Sequence, residues 1–131
     1  MITGGASGIG LGVATRLAEA GAGVAILDID DLRGGKAAQA LEGQGFRAAY
    51  YHCDVTSATD CEDVTERILD DFGKIDILIN NAGVAIRKNT VTLAEEEWDL
   101  ALNVSLKGTY LLSHYVIPHM IAGGGGSIIN T

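Results

Sequence analysis

Small residues and a carboxylate near the start of the chain have a spacing suited to binding a phosphate and a sugar. Residues 3–10 are Thr-Gly-Gly-Ala-Ser-Gly-Ile-Gly, and Asp28 ends an apolar run 18 positions after Gly10. Glycines let the backbone approach a pyrophosphate, and the N–H groups of a following helix N-terminus point at its charge. A carboxylate about 20 residues further on accepts hydrogen bonds from ribose hydroxyls. The pattern predicts a dinucleotide site, although a purely structural glycine turn remains the alternative for residues 3–10.

Asp28 also bears on which dinucleotide would bind. A carboxylate beside the adenosine ribose repels a 2′-phosphate, and neither Ser7 nor Ile29 offers a positive charge to offset that repulsion. We therefore expect NAD rather than NADP. The alternative for Asp28 is a solvated turn acid, and its position at the end of an apolar run favours the binding role.

Short β-type runs alternate with longer helical runs, and these elements must position the candidate residues. The spacing predicts helices over residues 8–20, 31–41 and 57–72 and a long helix within 93–121, with strands over residues 24–27, 46–53, 75–79 and from 127. Such alternation is typical of an α/β fold, a Rossmann-like doubly wound parallel sheet with helices on both faces. Because only two residues precede the glycine turn, we expect residues 1–131 to form one partial NAD(P)-binding domain that lacks part of its first strand and its C-terminal strands.

Four motifs, in order along the chain, resemble those of the short-chain dehydrogenase/reductase family. The turn Thr3-Gly4-x-x-x-Gly8-x-Gly10 is similar to the family's T-G-x-x-x-G-x-G turn. The other three are an Asp-Val pair after the third strand, an N-N-A-G segment after the fourth and an asparagine in the long helix: Asp54-Val55, Asn80-Asn81-Ala82-Gly83 and Asn103. The resemblance covers essentially the whole chain.

The resemblance implies a cofactor site assembled from these motifs. It comprises Thr3, Gly4, Ser7, Gly8, Ile9, Gly10, Asp28, Asp54, Val55, Asn80, Asn81, Ala82 and Gly83. The amides of Ser7 and Ile9 and the Ser7 hydroxyl would bind the pyrophosphate, and Asp28 the adenine-side ribose. Asp54 would accept from the adenine amino group with Val55 packed near the ring, while the segment at residues 80–83 would brace the sheet and line the nicotinamide-side ribose. For Asp54, a helix cap is the alternative.

The resemblance implies a catalytic role for Asn103, which would support a proton relay to the family's active-site lysine. It lies in an otherwise apolar helix, so we expect a buried amide that needs partners; an amide satisfied by the local backbone is the alternative. The family's chemistry also uses a Ser, a Tyr and a Lys four residues after that Tyr. These three residues have no counterpart in residues 1–131. The four tyrosines are followed at that distance by Asp54, Val55, His114 and His119, and Ser127 lies too early to be the serine.

The resemblance therefore implies an NAD-dependent oxidoreductase that transfers a hydride between NAD and a small-molecule alcohol or carbonyl substrate. We expect no turnover from these 131 residues alone. A non-enzymatic dinucleotide-binding sensor or scaffold is the alternative. A nucleotide-binding fold of another class, such as a methyltransferase, shares the glycine turn and the acid but does not explain residues 80–83 or Asn103.

Charge and cysteine content exclude other classes of function. The net charge of −8 argues against binding to nucleic acid or to an anionic membrane surface. Cys53 and Cys61 form no C-x-x-C and lack zinc-ligand spacing, so we expect no metal and reduced thiols in a cytoplasmic protein. The long helix is apolar on more than one face, and in the family it commonly forms a subunit interface. We therefore expect a homo-dimer or tetramer at full length.

Overall fold

Five parallel strands form a single sheet in the order β3-β2-β1-β4-β5. A computed structural model describes all residues, Met1–Thr131. The strands are β1 (Ile2–Thr3), β2 (Val24–Asp28), β3 (Ala48–His52), β4 (Ile77–Asn80) and β5 (Ser127–Asn130). The helices are α1 (Gly8–Glu19), α2 (Asp31–Glu42), α3 (Ala58–Phe72), α4 (Glu95–Leu102) and α5 (Gly108–Ala122), with a π-helical turn (Asn103–Lys107) between the last two. The predicted doubly wound α/β fold is confirmed.

The central strand β1 has its two neighbours on opposite sides. Ile2 pairs with Ile26 of β2 on one side and with Ile79 of β4 on the other. The chain runs from β1 through β2 to β3 at one edge and then crosses to β4 beyond β1. The connections that leave β1 and β4 therefore diverge, and this switch point is where open α/β sheets bind their ligands.

Both faces of the sheet are covered at β2, as the continuous apolar run of this strand predicts. Side chains of a strand alternate between faces. Ala25 and Leu27 accordingly join a core with α3 and α5, whereas Val24 and Ile26 join a second core with α1 and α2. All four are at most 3% exposed, so β2 is buried on both sides.

Local signals explain where α3 begins and ends. The Ser57 hydroxyl accepts a hydrogen bond from the Asp60 N–H at 3.2 Å, which caps the first turn as the sequence predicts. The helix ends at Gly73, whose φ of +82° is in the left-handed region that favours glycine.

The predicted long helix within residues 93–121 is interrupted. The π-helical turn at Asn103–Lys107 adds a residue to the helical repeat and separates α4 from α5, which continues past Pro118. Hydrophobic spacing reports a helix but does not reveal a single wider turn within it. No helix in the structure combines the length and the apolar character that crossing a bilayer requires.

Candidate cofactor-binding cleft

A cleft of about 400 Å³ opens at the carboxyl ends of the strands, beside the switch point. Its lining comes from the segments that follow the first four strands and from the π-helical turn: Gly4, Ser7, Gly8, Ile9, Gly10, Asp28, Ile29, Cys53, Asp54, Val55, Asn81, Ala82, Gly83, Val84 and Val104. Every predicted cofactor residue lines the cleft except Thr3 and Asn80, which are buried at the strand ends. The fold thus brings motifs from distant parts of the sequence into one site.

The glycines of the first turn meet two separate steric requirements. Gly4 and Gly8 have φ values of +60° and +52°, a backbone conformation that L side chains rarely adopt. Gly10 is helical, but a Cβ there would clash with the Gly4 carbonyl oxygen and would lie 2.7 Å from Asn81 Nδ2. A side chain at Gly10 would therefore force the turn away from the segment after β4.

The N-terminus of α1 faces the cleft with unused hydrogen-bond donors. Ser7 occupies the cap position in an extended conformation, yet its side chain makes no capping hydrogen bond. The first turn of α1 contains no acidic residue. No carboxylate of the helix itself therefore offsets the positive end of the helix dipole, and the turn can receive an anion such as a pyrophosphate.

The Asp28 carboxylate is fastened to the glycine turn. Its Oδ2 accepts a hydrogen bond from the Ala6 N–H at 3.0 Å, and its Oδ1 accepts from the Asp30 N–H at 3.1 Å. These bonds fix the carboxylate at the end of β2, next to the helix N-terminus that would hold the pyrophosphate. The two features that the sequence singled out are thus in direct contact.

This end of the cleft is negatively charged. The lining contains Asp28 and Asp54 but no Lys or Arg. Just outside it, Asp31 accepts from the Tyr50 hydroxyl at 2.7 Å and lies 2.8 Å from His52 Nδ1. The hydrogen bond from Tyr50, followed by the one from His52, lowers the pKa of Asp31, so this carboxylate stays ionised. The nearby Arg33 is paired with Asp30 at 3.4 Å.

Asp54 does not cap α3, although a cap was the alternative for it. Its Oδ1 accepts from the N–H of Thr56 at 2.9 Å and from the Thr56 hydroxyl at 2.8 Å, which closes a turn ahead of the true cap, Ser57. Val55 is 7% exposed and packs against the start of α5, where a Cβ at Gly108 would lie 2.8 Å from Val55 Cγ2. Both residues remain part of the cleft wall.

The paired asparagines after β4 have different partners. Asn81 donates through its backbone N–H to Thr3 Oγ1 at 2.9 Å, and through Nδ2 to the Thr3 carbonyl at 3.0 Å. The buried Asn80 donates through Nδ2 to Asn130 Oδ1 at 3.0 Å, while its Oδ1 has no hydrogen-bond partner. Asn81 therefore joins β4 to the glycine turn, and Asn80 joins β4 to β5.

Asn103 is exposed, so the expectation of a buried amide was wrong. It begins the π-helical turn but does not line the cleft. Its apolar neighbours Leu100 and Leu102 are also exposed, at 48% and 41%. An apolar helix face indicates burial only where another element covers it, and the sequence pattern does not show which face is covered.

Four residues in the lining were not predicted from the sequence: Ile29, Cys53, Val84 and Val104. Each is adjacent in sequence to a predicted site residue, and this proximity was the available signal. For Val104 it was not enough, because the return of the helix to the cleft depends on tertiary packing. The structure groups no three His, Cys, Asp or Glu side chains in a way that could hold a metal ion.

The chain belongs to the short-chain dehydrogenase family, whose model matches residues 1–131. An oxidoreductase of Thermotoga maritima is 40% identical over 130 residues, which is 99% of this chain and 51% of the relative. An NAD-dependent glycerol dehydrogenase of Listeria innocua is 39% identical over the same share of this chain and 50% of its own. The chain thus spans about half the length of the curated relatives it matches.

Solved structures show the same fold. A metagenomic short-chain oxidoreductase in complex with NADP superposes with a TM-score of 0.92 at 32% identity, covering 98% of this chain and 59% of its own. Members of this family are oxidoreductases that use NAD or NADP with small-molecule substrates.

Proposed function

We propose that the cleft binds NAD and that the chain forms the cofactor-binding part of an NAD-dependent oxidoreductase. The observation that carries the proposal is the Asp28 carboxylate, which the Ala6 N–H holds at the glycine turn in a lining without Lys or Arg. Such a carboxylate accepts hydrogen bonds from ribose hydroxyls and repels a 2′-phosphate. The neighbouring Asp31 adds to that repulsion.

The remaining residues of the site would divide the cofactor among them. The N–H groups of Ser7 and Ile9, the Ser7 hydroxyl and the three glycines Gly4, Gly8 and Gly10 would hold the pyrophosphate. Asp54 would accept from the adenine amino group beside Val55. Asn81, Ala82 and Gly83 would line the nicotinamide-side ribose, with Thr3 and Asn80 holding them from beneath. Once bound, the nicotinamide supplies the hydride chemistry, and the protein orients it.

For the complete protein we propose hydride transfer between NAD and an alcohol or carbonyl substrate, in a cytoplasmic homo-dimer or tetramer. Residues 1–131 would then be part of one Rossmann domain, with Asn103 supporting the proton relay. None of the four tyrosines in these residues has a lysine four positions later, so turnover would depend on residues outside them. The cleft with its Asp28 carboxylate would serve equally in a second candidate, a dinucleotide-binding sensor or scaffold. A hydride-transfer assay on the complete protein with a panel of alcohols separates the two candidates.

Titrations with NADH and with NADPH test the choice of cofactor. Binding is measured as the enhancement of nicotinamide fluorescence. The choice needs a test because a structural neighbour is in complex with NADP. Removing the carboxylate in Asp28→Ala takes away charge-assisted hydrogen bonds worth about 1.5–3 kcal/mol, so NADH affinity falls about 10- to 100-fold and the preference over NADPH narrows. Asp31→Asn is the matched control, since it removes a nearby charge outside the lining; NADH binding should weaken less than about threefold. An Asp28→Ala variant that binds NADH as tightly as the parent protein contradicts the proposal.

A further inference from the structure

The hydroxyl of Tyr50 fastens β3 to the segment that carries Asp28. It lies 2.9 Å from the Asp28 carbonyl oxygen and 2.7 Å from Oδ1 of Asp31, the first residue of α2, and its single hydrogen is shared between these two acceptors. The Asp31 carboxylate is therefore held within two hydrogen-bond lengths of the Asp28 carbonyl. Tyr50 itself does not line the cleft.

The ring of Tyr50 is fixed by α2. It occupies the space beside Gly34, where a Cβ would collide with it. Burial, followed by the hydrogen bond to Asp31, raises the pKa of Tyr50. The hydroxyl therefore keeps its proton near neutral pH and remains a donor. Tyr50 thus fixes the position of a carboxylate relative to the cleft without contributing to the cleft wall.

His52 is a second donor to the same carboxylate. Its Nδ1 lies 2.8 Å from Asp31 Oδ1, and because an ionised carboxylate only accepts hydrogen bonds, Nδ1 carries the hydrogen. His52 is also the register partner of Asp28 in the pairing of β3 with β2. The carboxylates whose charges act on it come from three elements: Asp28 of β2, Asp31 of α2 and Asp60 of α3. The imidazole is 52% exposed, so it exchanges protons with solvent.

The arginine of this segment does not offset Asp31. Arg33 Nε lies 3.4 Å from Asp30 Oδ2, so these two charges balance each other. A 2′-phosphate on a ribose held by Asp28 would therefore meet the carboxylates of both Asp28 and Asp31. A protonated His52 would place a positive charge directly beside them.

We propose that Tyr50 and His52 set how strongly the site rejects a 2′-phosphate, an inference that rests on the proposed function. Tyr50 is a positioning residue that keeps the Asp31 carboxylate beside Asp28. His52 is a specificity-determining residue that offsets this carboxylate when it takes up a proton. The rejection of NADPH is therefore strongest when His52 is neutral and weakens as the pH falls, because a histidine gains its charge between about pH 8 and pH 5.

The ratio of the NADPH and NADH dissociation constants measures this rejection, and fluorescence titrations of the complete protein give both constants. At about pH 8, Asp31→Asn should lower the ratio about three- to tenfold, the effect of one nearby charge in water, while NADH binding changes less than about threefold. Tyr50→Phe should lower the ratio by a smaller factor, because Asp31 keeps its charge but loses its anchor. Tyr51→Phe is the matched control, since that hydroxyl donates to Asp71 in α3 at 2.6 Å; the ratio should stay at the parent value.

The same titrations continued down to about pH 5.5 test His52. The 2′-phosphate itself loses charge in this range, with a second pKa near 6, so part of the pH dependence belongs to the ligand. His52→Gln keeps a hydrogen-bond donor but cannot become charged, and it should retain only the ligand's part. Between about pH 8 and pH 5.5, the ratio for the parent protein should therefore fall about two- to fivefold further than the ratio for His52→Gln.

Failure of the inference and failure of the proposed function give different results. A parent protein that does not bind NADH contradicts the proposed function, and the inference with it. NADH binding with the same ratio in the parent, Asp31→Asn and Tyr50→Phe overturns the inference alone, as does an equal change in Tyr51→Phe or the same pH dependence in the parent and His52→Gln. Asp31→Asn and His52→Gln replace exposed side chains, so they keep the test decisive if Tyr50→Phe fails to fold.

Discussion

Thr3 and Asn81 are joined by two hydrogen bonds that fasten the glycine turn to the end of β4. Thr3 Oγ1 accepts from the Asn81 N–H at 2.9 Å, and the Thr3 carbonyl accepts from Asn81 Nδ2 at 3.0 Å. Thr3 Oγ1 also accepts from the Ala82 N–H at 2.8 Å, and Thr3 is only 2% exposed. The two segments that border the switch point are therefore held as one unit, and a change at Thr3 should be felt on both sides of the cleft.

Replacing this hydroxyl tests how much the link contributes to stability. Thr3→Val keeps the shape of the side chain but leaves the N–H groups of Asn81 and Ala82 without an acceptor. Each buried unsatisfied group costs about 1–3 kcal/mol, so the free energy of unfolding should fall by about 2 kcal/mol or more. Urea titrations monitored by circular dichroism measure this free energy of unfolding. Thr3→Ser retains the acceptor and should lose less; equal losses in the two variants would show that the methyl group, not the hydroxyl, matters.

A side chain at Gly10 should destabilise the turn, whereas one at Gly12 should not. Both residues lie in α1, but a Cβ at Gly10 meets the Gly4 carbonyl, while a Cβ at Gly12 has nothing within 4 Å. Gly10→Ala should lose about 1–3 kcal/mol through overpacking and should weaken NADH binding. Gly12→Ala should gain about 0.5–1 kcal/mol, because alanine favours the helix. Thermal melts measure the stability of the two variants, and titrations measure their NADH affinity. Equal stability of Gly10→Ala and Gly12→Ala would contradict the described packing.

Adjacent glycines in α2 offer a second matched comparison. A Cβ at Gly34 would collide with the ring of Tyr50 on β3, whereas one at Gly35 meets nothing within 4 Å. Gly34→Ala should therefore lose about 1–3 kcal/mol and shift the Tyr50 ring. Gly35→Ala should be neutral or stabilising in the same urea titration. If Gly34→Ala unfolds at the urea concentration of the parent protein, α2 does not pack against β3 as closely as the structure indicates.

Asp60 should make stability depend on pH in the acid range. The hydrogen bond from Ser57, followed by that from the Asp54 N–H, lowers the pKa of Asp60 below its ordinary value. A carboxylate with a lowered folded pKa stabilises the protein above its unfolded pKa, near 3.9, and this contribution is lost as the pH falls through the folded pKa. Asp60→Asn should thus be less stable than the parent at pH 7, and the difference should shrink between about pH 5 and pH 3. Urea titrations across that range measure the difference; a constant gap would show that the Asp60 charge is not involved.

The amino-acid sequence alone determined the order and type of the elements, apart from the π-helical turn that divides the predicted long helix. Period and composition identified the helices, the continuous apolar run over residues 24–27 identified a strand buried on both faces, and the glycine turn with Asp28 marked the site. These are local signals: they depend on which side chains lie a few residues apart, and local geometry determines them. The dinucleotide hypothesis followed from them before any contact was known.

Only the tertiary structure decided what lies against what. The bonds from Ala6 to Asp28 and from Asn81 to Thr3 join residues 22 and 78 positions apart. Asn103 was wrongly expected to be buried, because the predicted helix around it has apolar residues on several faces. Packing determines which of those faces are buried. Periodicity specifies that a face is apolar, whereas burial depends on a partner element that is distant in sequence.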